Sequence, residues 1–221
     1  MKKTNKVLPA ILTIAMLFAF GVSKSFTQVT DKDDSTYKTI TISKQIWMAE
    51  NLNVEHYRNG DPIPQVQDKE EWDNQTTGAW CYYENNSGNG TTYGRLYNWY
   101  AVSDPRGLAP DGWHIPTNDE WTKLINYLGG AEVAGEKMKT TSGWDENGNG
   151  TNTSGFNAIP GGYRNHEGYF INIGRNALFW TSTEFNSTNI LFRNVIGSIP
   201  DVYNPNYTKD FGLSVRCVKD N

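Results

Sequence analysis

Three histidines, two cysteines and one acidic, asparagine-rich loop are the parts of this 221-residue chain that could carry chemistry. His56, His114 and His166 are scattered, with no His-Glu-x-x-His string, no Gly-x-Ser-x-Gly elbow and no phosphate-cradling glycine loop beside them. His114 lies between Trp113 and Ile115 at the start of a helix signal, a place that suits a hydrogen-bonded structural imidazole better than a general base. Glu184 follows Trp180-Thr181-Ser182-Thr183 and has the type of one member of a carboxylate pair, but spacing names no second member. A glutamate tied to backbone groups, or one touching a ligand, fits as well. Asp145, Asn147 and Asn149, followed by Gly150, reproduce the first half of a calcium loop: oxygen ligands at alternate positions, then glycine. Phe156 stands where such a loop needs its bidentate glutamate, so the segment reads first as a turn and second as a calcium site. The balance leans away from catalysis. No cofactor is expected, with calcium as the one candidate.

Aromatic side chains are the other resource, at 13% of the residues with 8 Trp, enough to furnish both a core and a binding surface. Trp47, Trp99, Trp113 and Trp121 fall in patterned segments and are expected inside. Trp144, Tyr163 and Trp180 flank loops in the second half, and with Arg164 and Glu184 they form the expected ligand-contact set.

These residues need elements to position them. Ile40 and Ile42 alternate with Thr39, Thr41 and Ser43, the period of a half-buried strand, and Ile46-Trp47-Met48 continues past a turn. A polar stretch from Arg58 to Thr77 reads as loop, with a helical turn near Glu70 to Trp72. Ala79 to Tyr83 reads as strand, Glu84 to Thr92 as a long turn, and Gly94 to Val102 as a short helix. The strongest helix signal is Thr117, with Glu120 three residues on as a capping box. Trp121, Leu124, Ile125 and Leu128 then fall at i, i+3, i+4 and i+7, and Gly129-Gly130 stops the helix. Strands are expected at 161–164, 169–173, 178–181 and 190–196. A last one runs from Gly212 to Val218, with Leu213, Val215 and Cys217 inward and Ser214 and Arg216 outward. The pattern is α+β: two helices in the first half and a twisted antiparallel assembly in the second.

The N-terminus carries Lys2, Lys3 and Lys6, then an uncharged run from Val7 to Val22, then Ser23-Lys24-Ser25. That is the layout of a secretory signal peptide over residues 1–25, and the run is short for a spanning helix. No cysteine stands near the cleavage site to accept a lipid, so a secreted or periplasmic protein with no remaining membrane span is expected, not a lipoprotein. A polar lead-in, 26–36, precedes a single domain over 37–221. Removing residues 1–25 takes away four lysines and no acid, so the formal charge moves from −4 to −8. An acidic domain repels phosphate backbones, which argues against a nucleic-acid partner.

Several strings then agree in order and spacing: Ile46-Trp47-Met48-Ala49-Glu50-Asn51-Leu52-Asn53, Tyr93-Gly94-Arg95-Leu96-Tyr97-Asn98-Trp99-Tyr100-Ala101-Val102 and Gly112-Trp113-His114-Ile115-Pro116-Thr117. Pro160-Gly161-Gly162-Tyr163-Arg164, Trp180-Thr181-Ser182-Thr183-Glu184 and Ser214-Val215-Arg216-Cys217-Val218 follow. Together they resemble the Fibrobacter succinogenes major paralogous domain, a family of exported bacterial proteins. More distantly, Ile115-Pro116-Thr117-Asn118-Asp119-Glu120-Trp121 and the Ser-Val-Arg-Cys ending look like strings of the formylglycine-generating sulfatase-modifying enzymes. That resemblance implies a C-type-lectin-like fold, with paired terminal strands, two helices and a long irregular loop region. Their reactive cysteine pair has no counterpart here, and Ala109 stands where many relatives of the first family carry a cysteine. The tripeptides by which C-type lectins hold sugar through calcium, Glu-Pro-Asn and Gln-Pro-Asp, are absent. In such a fold the terminal strand packs near the strands before the helices, which leaves Cys81 and Cys217 either bonded or as two buried thiols.

The leading expectation is a non-catalytic exported recognition or surface module for a glycan or an envelope protein. An enzyme related to the sulfatase-modifying superfamily, and a purely structural surface protein, are the alternatives. The exported chain should begin between Lys24 and Val29, and intact-mass measurement of extracytoplasmic protein still carrying Met1 or Lys2 would end that reading.

Overall fold

The computed structural model describes residues 27–220, and the expected signal peptide lies outside them. Three strands open the described residues: β1 (Thr27–Thr30), β2 (Thr36–Ile42) and β3 (Gln45–Met48). Their register is antiparallel, with Val29 opposite Tyr37 and Ile40 opposite Trp47. The lead-in expected over 26–36 therefore supplies an edge strand. A one-turn helix, α1 (Lys69–Asp73), is capped by the Asp68 side chain and buries Trp72. β4 (Trp80–Cys81) follows, then a 3-10 turn at Tyr83–Asn85.

Two local expectations fail in the next stretch. The long turn expected at 84–92 holds a helix, α2 (Ser87–Tyr93), capped by Asn86. The helix expected at 94–102 is divided into β5 (Leu96–Tyr97), which pairs with β4, and α3 (Trp99–Val102). Gly94 makes the division: at φ +74° it ends α2, and a Cβ there would lie 2.8 Å from the Leu52 carbonyl. Asn98 then caps α3 by accepting from the Ala101 N–H at 3.0 Å.

After β6 (Trp113–His114) comes α4 (Asn118–Tyr127), with the expected capping box between Thr117 and Glu120. Trp121, Leu124 and Ile125 are buried on its inner face. Gly129 and Gly130, both at positive φ, turn the chain directly into α5 (Ala131–Met138), which the sequence did not announce. Its inner face is Ala134, Gly135 and Met138, too small a stripe to read as helical period. Gly135 is required there because a Cβ would meet the Pro200 carbonyl oxygen at 2.5 Å.

The second half builds β7 (Gly161–Arg164), β8 (Phe170–Ile173), β9 (Asn176–Glu184), β10 (Asn189–Ile196), β11 (Val202–Tyr203) and β12 (Asn206–Thr208). They form one sheet in the order β11-β10-β9-β7-β8, with β12 on β10. Pairing is antiparallel except between β7 and β9, which meet in parallel at Gly162 and Ala177. The chain closes with β13 (Val218–Lys219), which enters the first sheet between β3 and β6, in the order β1-β2-β3-β13-β6.

The core is aromatic. Trp47, Trp121, Phe156 and Phe179 stack together with ring centroids 4.8–5.8 Å apart. The C-terminal segment breaks the expected inside-outside alternation: Ser214 and Arg216 are as buried as Leu213, Val215 and Cys217. Residues 213–217 run between the layers, hydrogen-bonded to Tyr97 and Leu178 on one side and to Met48 and Leu52 on the other, so neither face meets water. Cys81 and Cys217 are both free buried thiols. Cys81 packs with Val66, Trp72, Tyr83 and Leu96, whereas Cys217 belongs to the cluster of Met48, Leu52 and Trp113, so the bonded alternative is not taken up. Among the described residues no helix is long and apolar enough to cross a membrane.

Arg216 is the least exposed charge among the described residues. Its guanidinium donates to Asn51 Oδ1 (2.6 Å) and to the carbonyls of Met48 (3.2 Å), Phe156 (2.5 Å) and Asn157 (2.7 Å). Trp121→Ala should cost about 3–5 kcal/mol as a core truncation. Arg216→Leu should cost more, because it strands four buried acceptors at about 1–3 kcal/mol each. Urea denaturation of both variants checks the order.

Candidate functional site

The residues expected to contact a ligand divide sharply by burial. Trp180 is wholly inside at 0% exposure, and its indole N–H donates to the Tyr97 carbonyl at 2.8 Å. Arg164, at 1% exposure, donates to the carbonyls of Val66 (2.7 Å), Gln67 (3.0 Å), Asp68 (3.1 Å) and Gly168 (3.1 Å), between the rings of Trp72 and Phe170. Trp144 is buried too, and its N–H donates to Thr140 Oγ1 at 3.1 Å. These three are scaffold, contrary to their expected role at a surface. Trp180 lies in the middle of β9 and Arg164 at the end of β7, in the interior of the sheet, and only Trp144 reaches inward from a loop.

Tyr163 is half-buried at the end of a stack in which Phe192, Tyr207 and Phe211 lie ring on ring at 4.3 and 4.1 Å. Burial and the neighbouring Tyr207 raise its hydroxyl to about 12, so it stays neutral. Most of the ring faces in this stack are spent on one another. Glu184 is exposed and pairs with Lys209 at 3.0 Å.

The asparagine-rich loop is closed by its own bonds. Asn149 Oδ1 accepts from the Trp144 N–H at 3.1 Å, Gly148 N–H donates to the Asp145 carbonyl at 2.8 Å, and Glu146 and Asn147 sit at positive φ. Among the described residues no three His, Cys, Asp or Glu side chains converge as a metal site. The Asn149 side chain thus has a structural account as part of the turn.

The histidines are pinned separately. His56 Nδ1 lies 2.5 Å from Asp33, and the His166 ring lies 5.5 Å from that of Phe211. His114 is held at both nitrogens, Nδ1 by Asp220 at 2.6 Å and Nε2 by Glu120 at 2.9 Å. The imidazole thus joins the capping box of α4 to the C-terminal strand.

A concavity of small-ligand size lies elsewhere, between the β2–β3 hairpin and α2. It measures 410 Å³ and is lined by hydroxyl and amide side chains: Thr36, Thr91 and Thr92, all exposed, with Asn51, Asn53 and Asn157. That volume is within the range of small-ligand sites. Tyr37 and Ile159 supply apolar wall, and Arg216 lies in the floor. Burial pushes the Arg216 guanidinium down to about 9, which leaves it charged at neutral pH. Asn51 is fully committed, accepting from Arg216 and donating to the Tyr93 carbonyl (2.8 Å) and Ser214 Oγ (3.3 Å). Asn53 accepts from Arg95 Nη1 at 3.1 Å, and Asn157 Oδ1 accepts from Asn152 Nδ2. The wall made by α2 consists of Ser-Gly-Asn-Gly-Thr-Thr-Tyr, a sequence with little helix propensity, fixed by its Asn86 cap and by the Asn51 bond to Tyr93.

The family model for the Fibrobacter succinogenes major domain matches residues 40–219, from β2 to β13. The chain belongs to that family. No curated protein and no solved structure matches it. In this Fibrobacter succinogenes major domain, the cleft residues Asn51, Asn53 and Arg216 lie inside strings that carried the sequence resemblance, yet nothing in their types or local spacing marked them as a site. Asn157 lay in no recognised motif at all. Contacts across 59 to 165 positions of the chain join Arg216 to Asn157 and to Asn51.

The His114 bridge carries a pH signature. Burial works against the imidazolium, but the hydrogen bonds and charges of Asp220 and Glu120 outweigh it and hold the His114 pKa above its ordinary 6.5. Burial likewise pushes Glu120 up, and the Thr117 backbone N–H, His114 and the Thr117 hydroxyl overcome it, holding the carboxyl below 4.5. The raised histidine contributes stability below its unfolded value, lost as pH rises through the folded one. The lowered glutamate contributes above its unfolded value, lost as pH falls through its folded one. Stability from this bridge is therefore expected to be greatest between about pH 4.5 and 6.5. Urea midpoints at pH 5.5 and 8 should differ more for the native chain than for His114→Gln, and equal differences would show the bridge to be inert.

Proposed function

We propose that this protein is a non-catalytic, exported recognition module that binds a small, hydroxyl-rich ligand of saccharide type in the cleft between the β2–β3 hairpin and α2. The observation that carries the reading is the lining itself: threonine hydroxyls and asparagine amides around a 410 Å³ space with a short apolar wall. A sugar offers alternating hydroxyls and a CH face, and such a lining answers both. The lining contains no histidine, cysteine or lysine, and its one carboxylate, Glu50, is engaged by the Lys38 backbone N–H at 2.7 Å. A nucleophile–base arrangement is therefore not part of it.

The two cysteines support the non-catalytic side. Both are fully buried in separate clusters, and burial pushes the Cys81 thiol up to about 12 and that of Cys217 higher. Thiols held neutral are poor nucleophiles. Export is supported by the lysine-led apolar N-terminus. For the architecture, a C-type-lectin-like fold is the reading we favour. Pairing of N- and C-terminal strands in one sheet, two consecutive helices and a loop-rich second half are features consistent with it.

The test is a titration of the mature protein with a panel of oligosaccharides, read by heteronuclear NMR and calorimetry. Thr91→Trp fills the mouth from an exposed position and should abolish binding with little change in thermal midpoint. Phe185→Ala, on the far hairpin of the second half, should leave binding intact. Shifts that cluster around Phe185 and Tyr163 instead of Thr36, Asn53 and Thr91 would move the site to the other half.

A further inference from the structure

Resting on that reading of the cleft, we infer that its ligand is acidic: a saccharide bearing a carboxylate, such as a uronic-acid unit, received by the amide groups of Asn53 and Asn157. The orientation of both amides is fixed by neighbours that can act in one way only. Arg95 Nη1 is a pure donor, and it holds Asn53 Oδ1 at 3.1 Å, so the NH2 of Asn53 is the group left over. For Asn157, the backbone N–H donates to Asn152 Oδ1 at 3.1 Å, which identifies the other end of the Asn152 amide as its nitrogen. That nitrogen donates to Asn157 Oδ1, so Asn157 too keeps its NH2. Among the described residues neither NH2 has an acceptor within the chain. At each amide the oxygen thus has one of its two lone-pair sites taken by the chain, while both NH2 groups are unspent.

Charge points the same way. Arg216 lies in the floor with a full positive charge, and among the described residues no carboxylate forms an ion pair with it: its bonds go to carbonyl and amide oxygens, and the Glu50 charge acts on it from a distance. Arg95 stands behind Asn53, paired at 3.0 Å with Glu55. Glu50 is the one anion in the lining, and its oxygens are turned to Lys38, at 2.7 Å from the backbone nitrogen and 4.0 Å from the ammonium. A carboxylate brings four lone-pair sites and needs donors, and a cation beneath the floor lowers the cost of desolvating it. A neutral sugar would have to satisfy both amides with hydroxyl or ring oxygens, and it would gain nothing from Arg216.

The experiment compares a uronate oligosaccharide with its neutral counterpart, with a sulfated counterpart and with an acidic peptide that has no sugar, on the native chain and on three variants. Asn53→Asp and Asn157→Asp keep the oxygens that Arg95 and Asn152 use and convert the free donors into acceptors, so both should fold, which thermal melting checks. The uronate should bind the native chain at least about tenfold more tightly than the neutral sugar, as a charge-assisted bond is worth. Each Asp variant should remove that preference while changing the neutral sugar's affinity less than threefold. Thr91→Trp should abolish both. Equal or tighter binding of the neutral sugar, the sulfated sugar or the peptide overturns the inference, and so does an Asn53→Asp variant that keeps the preference. In those cases the cleft survives as the site provided Thr91→Trp blocks it. If no sugar binds, or Thr91→Trp blocks nothing, the cleft reading fails and the inference falls with it.

Discussion

Backbone carbonyls that neither a ladder nor a helix uses must still find donors when they are buried, and here four cationic side chains serve them. Arg216 joins the end of β3 to the Phe156–Asn157 loop, and Arg164 clamps three consecutive carbonyls, Val66 to Asp68, against Gly168. Lys139 gathers the carbonyls of Ile196, Gly197 and Ile199, and Arg193 reaches Asn118 and Thr122 at the start of α4. None of the four is part of an ion pair among the described residues. Each guanidinium carries five N–H groups in a rigid fork, so a single side chain can anchor several irregular strands of backbone at once. Burying such a charge is costly, and the dense ring of carbonyl dipoles is what offsets it.

The tryptophans follow the same logic with a smaller charge. Indole N–H groups of Trp72, Trp80, Trp99 and Trp180 donate to the carbonyls of Asp210, Ile63, Thr181 and Tyr97. Their rings fill the core while their polar edges pin loops, which explains why a protein with so little regular secondary structure can use so many of them. Trp47 and Trp121 depart from this: their indole nitrogens, both buried, have no hydrogen-bond partner, and their rings lie 4.8 Å apart between the first sheet and α4. Packing holds those two rings, while Gln45 and His114 tie the same sheet to Glu120 of α4 by hydrogen bonds.

The cleft is a by-product of these anchors. Pulling the Phe156–Asn157 loop onto Arg216 brings Asn157 opposite the Asn51–Asn53 segment, and the Asn51 bond to Tyr93 sets α2 as the third wall. The Asn53 and Asn157 oxygens each take a bond in building the walls and their NH2 groups are left over, so the same bonds that make the fold bias what the cleft can receive.

Local physics made part of this legible in the sequence. The capping box at Thr117 and Glu120, the apolar stripe of α4 and the alternation around Ile40 are short-range features, and each element formed where its period placed it. Family membership was legible too, because many short strings agree in order. Helices α2 and α5 were not, since Gly-rich and small-residue faces are stabilised by what they pack against and leave no periodic signal. Nor was the direction of Arg216, Arg164 and Trp180. Alternation assumes one wet face, and polar residues of loops are taken to face water, but here both faces are covered and the charges find carbonyls inside. The partners of Arg216 lie between 59 and 168 residues away along the chain, so which oxygens it would meet, and hence where the cleft would open, was decided only when the two sheets closed on each other.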